Sequence, residues 1–186
     1  MATATITRPS AAYVVSDAPA PIPPEARFAG DYLPAPELEA LARRLIATER
    51  AVGFLADWTG ALTFLWRRAG GKRGGKAVYG RCQSLAGVAR HYAGASYLIW
   101  AAADHCRAAR LTGRQLEALV FHELCHLAPG EEDEETGEQA PPVLVGHDFE
   151  GFLAELDVYG PWRPDLARAG ETFAQLALFD AAAVRP

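Results

Sequence analysis

The stretch TGRQLEALVFHELCHLAPG, residues 112–130, decides the reading of this chain. Thr112 with Gln115 three residues later has the pattern of a capping box, set just before the apolar run Leu116, Leu119, Val120 and Phe121. Pro129 and Gly130 stop a helix, so the spacing predicts one helix from near Thr112 to near Ala128. At about 100° per residue, Leu116, Val120, Leu124 and Leu127 fall on one face, and Ala118, Leu119, His122 and His126 on the other. A helix apolar on all sides is a buried helix, and burying two imidazoles and a carboxylate without partners costs several kcal/mol. Hydrogen-bonded core histidines are one way out. A metal ion is the other, because His at i and i+4 stack on one helical face. Two nitrogens there can bind one tetrahedral Zn²⁺, leaving room for a third protein ligand and a water. Glu123 lies off that face, where it can take a proton from the water rather than bind the metal. Cys125 falls between the His face and the core and reads as a small buried hydrophobe.

The third ligand is sought in GHDFEGF, residues 146–152, which opens a second helical pattern running to about Val158. Phe149, Phe152, Leu153 and Leu156 form its large apolar face, and the small Gly151, Ala154 and Val158 continue from His147. His147, Asp148 and Glu150 are all candidates. His147 is preferred, because a neutral imidazole leaves more positive charge on the site than a carboxylate would. Gly146 before it relieves the backbone at the helix entrance. Asp148 is accounted for by the helix dipole or as an acceptor for a ligand imidazole, and Glu150 by solvation.

The HELCH helix, the loop and the GHDFEGF segment together resemble the SprT-like zincin group, in which a His opens a short H-G-x-x-F-type segment after the motif helix. They are more similar to the phage-type metallopeptidases, in which an H-E-L-x-H helix is followed by a G-H-D-F-type segment. The resemblance spans about residues 60–160. It departs from the SprT pattern at Asp148, where Gly is usual, and in the acidic insert before His147. It implies a zinc metallopeptidase, phage-encoded or of a bacterial host, with His122, His126 and His147 as metal ligands and Glu123 as general base.

Composition fits a modest enzyme. The chain has 186 residues, half of them hydrophobic, which is enough for one domain with a real core. A net charge of −5 gives no general attraction to nucleic acid or anionic membrane, and no stretch approaches the roughly 20 apolar residues of a membrane span. The three cysteines are scattered and read as reduced thiols. Met1 to Ser10 lacks the basic-then-apolar pattern of a secretion signal, so a cytoplasmic location is expected.

Residues 1–28, rich in Pro, Ala, Ser and Thr, are expected to be extended or disordered with little to pack. Residues 29–186 are expected to form a single zincin-like α+β domain. A helix is expected from Pro36 to about Trp58, followed by strands over Ala61–Arg67, Ala77–Leu85 and Ser96–Ala103. The fold class is then a small three-stranded antiparallel or mixed sheet with a buried motif helix and two following helices, the last from about Pro164 to Ala181. By the zincin resemblance, the Ser96–Ala103 strand would lie at the cleft edge, where an extended peptide or protein substrate pairs with it.

Two segments carry weaker signals. Gly70 to Lys76 matches the phosphate-loop spacing G-x-x-x-x-G-K, but Ala77 replaces the Ser or Thr and a strand follows instead of a helix, so a nucleotide site is rejected. Arg67, Arg68, Lys72, Arg73, Lys76 and Arg81 make this turn basic. The plain reading is a solvated hairpin; the functional one is a weak nucleic-acid contact. Glu131 to Glu135 is five like charges in a row and reads as a mobile surface loop rather than a Ca²⁺ site. A non-catalytic zinc-binding regulatory or nucleic-acid-associated module is the alternative to an enzyme, and Glu123 argues against it, since a structural zinc site needs no general base.

Overall fold

An unbroken apolar strand lies at the centre of the sheet. In the computed structural model, which describes residues 17–133, 135–147 and 167–175, the elements run in the order β1 (Tyr32–Pro34), α1 (Pro36–Thr48), β2 (Leu62–Arg67), β3 (Lys72–Arg73), β4 (Lys76–Ala77), β5 (Gly80–Ser84), α2 (Gly87–Ala93), β6 (Tyr97–Ala102), α3 (Ala103–Ala108), α4 (Gly113–Cys125), β7 (Leu127–Ala128) and β8 (Val143–Leu144). Residues 167–175 are helical, inside the last helix expected from the sequence. The chain divides into two compact units, Met1–Leu144 and Val145–Pro186. Residues 148–166, which include Asp148, Glu150 and the expected second helical pattern, lie outside the described residues.

The class is α+β with a mixed sheet, and the strand count is corrected from three to four, in the order β1-β2-β6-β5. β2 runs parallel to β6, and β1 and β5 are antiparallel to their neighbours. The sequence Tyr-Leu-Ile-Trp-Ala-Ala of β6 has no polar alternation, as expected of a strand covered on both faces, and all but Leu98 are buried. β6 is therefore not the cleft edge. Its backbone is paired on both sides, and the edges of the sheet are β1 and β5. At β5 the Leu85 N–H donates to the Ser96 carbonyl and the Ala102 N–H to the Tyr79 carbonyl, both at 2.7 Å. Odd-numbered residues thus face β6, and Gly80, Cys82 and Ser84 turn their backbone groups away from it. Among the described residues no strand pairs with that side.

One sheet face carries Phe64, Trp66, Cys82, Tyr97, Ile99 and Ala101, all buried. Against this face pack Leu38, Ala42, Leu45 and Ile46 of α1 and Leu116, Val120 and Leu124 of α4. Burying each large aliphatic side chain contributes about 1.5–3 kcal/mol. A half-buried Arg44–Glu117 ion pair at 2.6 Å ties α1 to α4, and the Trp66 indole N–H donates to Glu37. α1 ends at Thr48, ten residues before the expected Trp58, and the chain continues as a 3-10 stretch over Gly53–Ala61. The extended segment at 17–24 does pack, contrary to expectation. Ala20 and Ile22 lie against the core, the Ala20 N–H donates to the Leu111 carbonyl at 2.8 Å, and Phe28 is buried.

The Gly-rich turn is a separate two-residue hairpin, with Lys72 and Arg73 opposite Ala77 and Lys76. Gly74 and Gly75 both have positive φ (55° and 79°), as the primed hairpin turns require. The described residues of the acidic segment form a hydrogen-bonded turn. Glu132 bridges Gln139, and the Asp133 carboxylate accepts from the Glu135 and Thr136 N–H groups at 3.0 and 2.8 Å, which holds its pKa down. The turn is closed by Asx chemistry, which charge repulsion does not prevent on an exposed rim. Its described acidic side chains are exposed, so replacing residues 131–135 with a Gly/Ser linker is expected to cost no more than about 1 kcal/mol. Thermal unfolding checks this, and a fall of more than about 10 °C would mark the turn as structural.

Candidate metal centre

Local rules build the motif helix as expected. Thr112 caps α4, accepting from the Gln115 N–H at 3.3 Å while the Gln115 side chain accepts from the Thr112 N–H at 2.9 Å. Leu116, Val120 and Leu124 are buried. Two expectations are corrected. The helix ends at Cys125 with His126 as C-cap, because Leu127 and Ala128 leave as β7 to pair with Leu144 and Val143. The helix is also buried on one face only: His122 is exposed, His126 half-buried and Cys125 exposed. Cys125 is three residues from His122 and shares its outward side, so it is not the small buried hydrophobe expected. The buried thiols are Cys82 and Cys106, each pushed up to about 12, chiefly by burial.

His126, though a C-cap, keeps right-handed helical angles (φ −72°, ψ −6°), so the i, i+4 spacing survives the helix end. The rings of His122 and His126 lie 5.1 Å apart at an interplanar angle of 89°. One ligand nitrogen from each of His122, His126 and His147 lies within 4.8 Å of the other two. His147 follows β8 by three residues, and β8 is held at the end of α4 by its pairing with β7. A tetrahedral metal needs its nitrogen ligands about 3.4 Å from one another, so the three imidazoles are the residues that would hold such an ion. Among the described residues this is the one group of three or more His, Cys, Asp or Glu side chains that could hold a metal ion. Gly146 owes nothing to crowding: a Cβ there would meet no atom within 4 Å and its φ is not left-handed, so the expected backbone relief is absent.

Glu123 stands apart from this set. It is 4 % exposed, the one buried charged residue among those described, and its Oε2 has no hydrogen-bond partner there. Its side chain lies over β5 beside Gly80. Burial pushes its pKa up from the ordinary 4.5 to about 7, against the opposing pull of His126, the Cys82 backbone amide and Arg81. A buried carboxylate with one unmatched oxygen, within electrostatic reach of His126, fits a site that gains a cation and moves protons.

The raised value has a consequence for the metal-free protein. Folding favours protonated Glu123, so its contribution to stability is fully present below the unfolded value near 4.5 and is lost as pH rises through the folded value near 7. Relative to Glu123→Gln, the metal-free wild type is expected to lose up to about 3 kcal/mol across that window. Denaturant unfolding of both proteins at several pH values measures it. A pH-independent difference would show that the carboxylate stays ionised throughout.

Among the described residues no helix is long and apolar enough to cross a membrane. No curated protein and no solved structure matches the chain. Residues 30–174 match the family described as "Putative phage metallopeptidase", and with most of its length covered the chain belongs to that family, whose name implies a metal ion and hydrolysis of peptide bonds.

Proposed function

We propose that this protein is a zinc metallopeptidase in which His122, His126 and His147 hold the metal and Glu123 is the general base. The observations that support this reading are the His122, His126 and His147 set and, next to the first of them in the chain, the buried Glu123 carboxylate with an unpartnered oxygen, within electrostatic reach of His126. A Zn²⁺ ion bound there supplies Lewis acidity, polarising a substrate carbonyl and acidifying water. Glu123 accepts the proton of the attacking water and returns it to the leaving amine. The outward backbone groups of Gly80 and Ser84 and the Cys82 carbonyl align an extended peptide or protein substrate by strand pairing, next to the carboxylate that takes the Cys82 amide and lies over the same strand. This edge, together with the motif helix, supports a zincin-like and SprT-like grouping. The cytoplasm is the proposed location.

The basic turn leaves four cations for a nucleic-acid contact. Arg67 stacks on Trp100, 4.9 Å from its ring, and Arg68 pairs with Glu25 at 2.9 Å. Lys72, Arg73, Lys76 and Arg81 are exposed and make no ion pair among the described residues. Metal analysis of the purified protein, combined with cleavage of a mixed-sequence peptide library by wild type and Glu123→Gln, tests the whole reading. Stoichiometric zinc without any turnover would move the protein to a non-catalytic zinc module.

A further inference from the structure

We infer that Gly80 is a positioning residue for Glu123: the missing side chain on β5 is what lets the carboxylate lie across the strand that the substrate pairs with. This rests on the peptidase reading above and extends it to a residue outside the motif. A Cβ added at Gly80 would come within 2.6 Å of Glu123 Oε1, 3.1 Å of Cδ and 3.2 Å of Cγ. The clash therefore runs along the whole end of the side chain, and tilting the carboxylate alone cannot relieve it. Glu123 is also buried, with Oε2 enclosed, so it has no open space in which to retreat.

The backbone does not demand glycine here. Gly80 is absent from the positive-φ residues, and it sits in regular register opposite Ala101. Gly80 opens β5, where a glycine packs nothing and orders at a higher entropic cost than an alanine. What explains it is contact with the general base. The neighbouring Cys82 turns its backbone amide to the same carboxylate, so β5 is the floor under Glu123, and substrate pairing falls to the outward groups of Gly80 and Ser84 and the Cys82 carbonyl.

The test is a double-variant cycle in the full-length, zinc-loaded protein, with metal content measured throughout. Gly80→Ala is expected to keep one zinc per chain and lower the melting temperature by about 3–8 °C. In the Glu123→Ala background the same change is expected to leave it within about 2 °C or raise it, because Ala suits a strand better where nothing is displaced. With fluorescein-labelled casein as probe, Gly80→Ala is expected to lower kcat about 10- to 100-fold with KM changed less than about threefold, as for a misplaced base. Equal melting shifts in both backgrounds, loss of zinc, or an unchanged kcat would each overturn the proposal. If Gly80→Ala fails to fold but the double variant folds, the contact is established. If both fail, the backbone needs glycine and the inference falls. A wild type that cleaves neither casein nor the peptide library overturns the peptidase reading itself, which the melting cycle does not depend on.

Discussion

Glu123→Gln is expected to lower kcat by about 10²- to 10⁴-fold, the range for a missing general base, while the protein keeps its zinc and its fold. Gln has the same shape, so the packing against β5 and the space over Gly80 are preserved. What it loses is the ability to take a proton. The fold should tolerate the change well, because the wild-type carboxylate already buries an oxygen without a partner and the amide carries no charge to desolvate. His122 and His126 are on the outward side of α4, whereas Glu123 is buried with Leu124, so the ligand set should be untouched. Metal analysis and steady-state kinetics on the same preparation decide the matter. If the variant loses zinc as fully as His122→Ala, Glu123 is a ligand and the proposed mechanism fails.

What the sequence disclosed depended on the range of the interaction. The capping box of Thr112 and Gln115, the core face of Leu116, Val120 and Leu124, and the i, i+4 histidines are set within a few residues of chain, and all were legible. β1 was not: Tyr32-Leu33-Pro34 has no periodicity of its own and is a strand only because Arg67, Trp66 and Leu65 lie opposite. The two-residue pair β7 and β8 likewise exists through a contact across the acidic turn, and it cuts the helix short of Ala128. β6 was legible as a strand, and its unbroken Tyr97–Ala102 run already marked it as interior. Reading it as the edge set a resemblance above the residues. The half-exposed state of α4 was missed for a related reason, since an apolar count on the helix does not say which neighbours arrive to cover it. The significance of Gly80 could not be read at all, because it depends on a side chain 43 positions later in the chain.

His147→Ala is expected to abolish stoichiometric zinc binding, whereas Asp148→Asn should weaken it by no more than about 10- to 100-fold, the usual effect of losing a partner behind a ligand. Of the arguments for His147, the one from Gly146 has gone, since that glycine meets nothing a Cβ would strike. The helical face of Gly151, Ala154 and Val158 lies outside the described residues. A third neutral imidazole leaves the ion with its full positive charge, which favours ionisation of its water more than a carboxylate ligand would. The ligand nitrogen of His147 also lies within 4.8 Å of those of both motif histidines, near enough for one metal to join all three. Removing it leaves two exposed or half-exposed histidines on one helical turn, a set too small for a site that keeps three protein ligands and an open position. Metal content after dialysis, measured for His147→Ala, Asp148→Asn and Glu150→Gln side by side, separates the candidates. A His147→Ala protein that still holds one zinc per chain, while either carboxylate variant does not, would transfer the third position to that carboxylate.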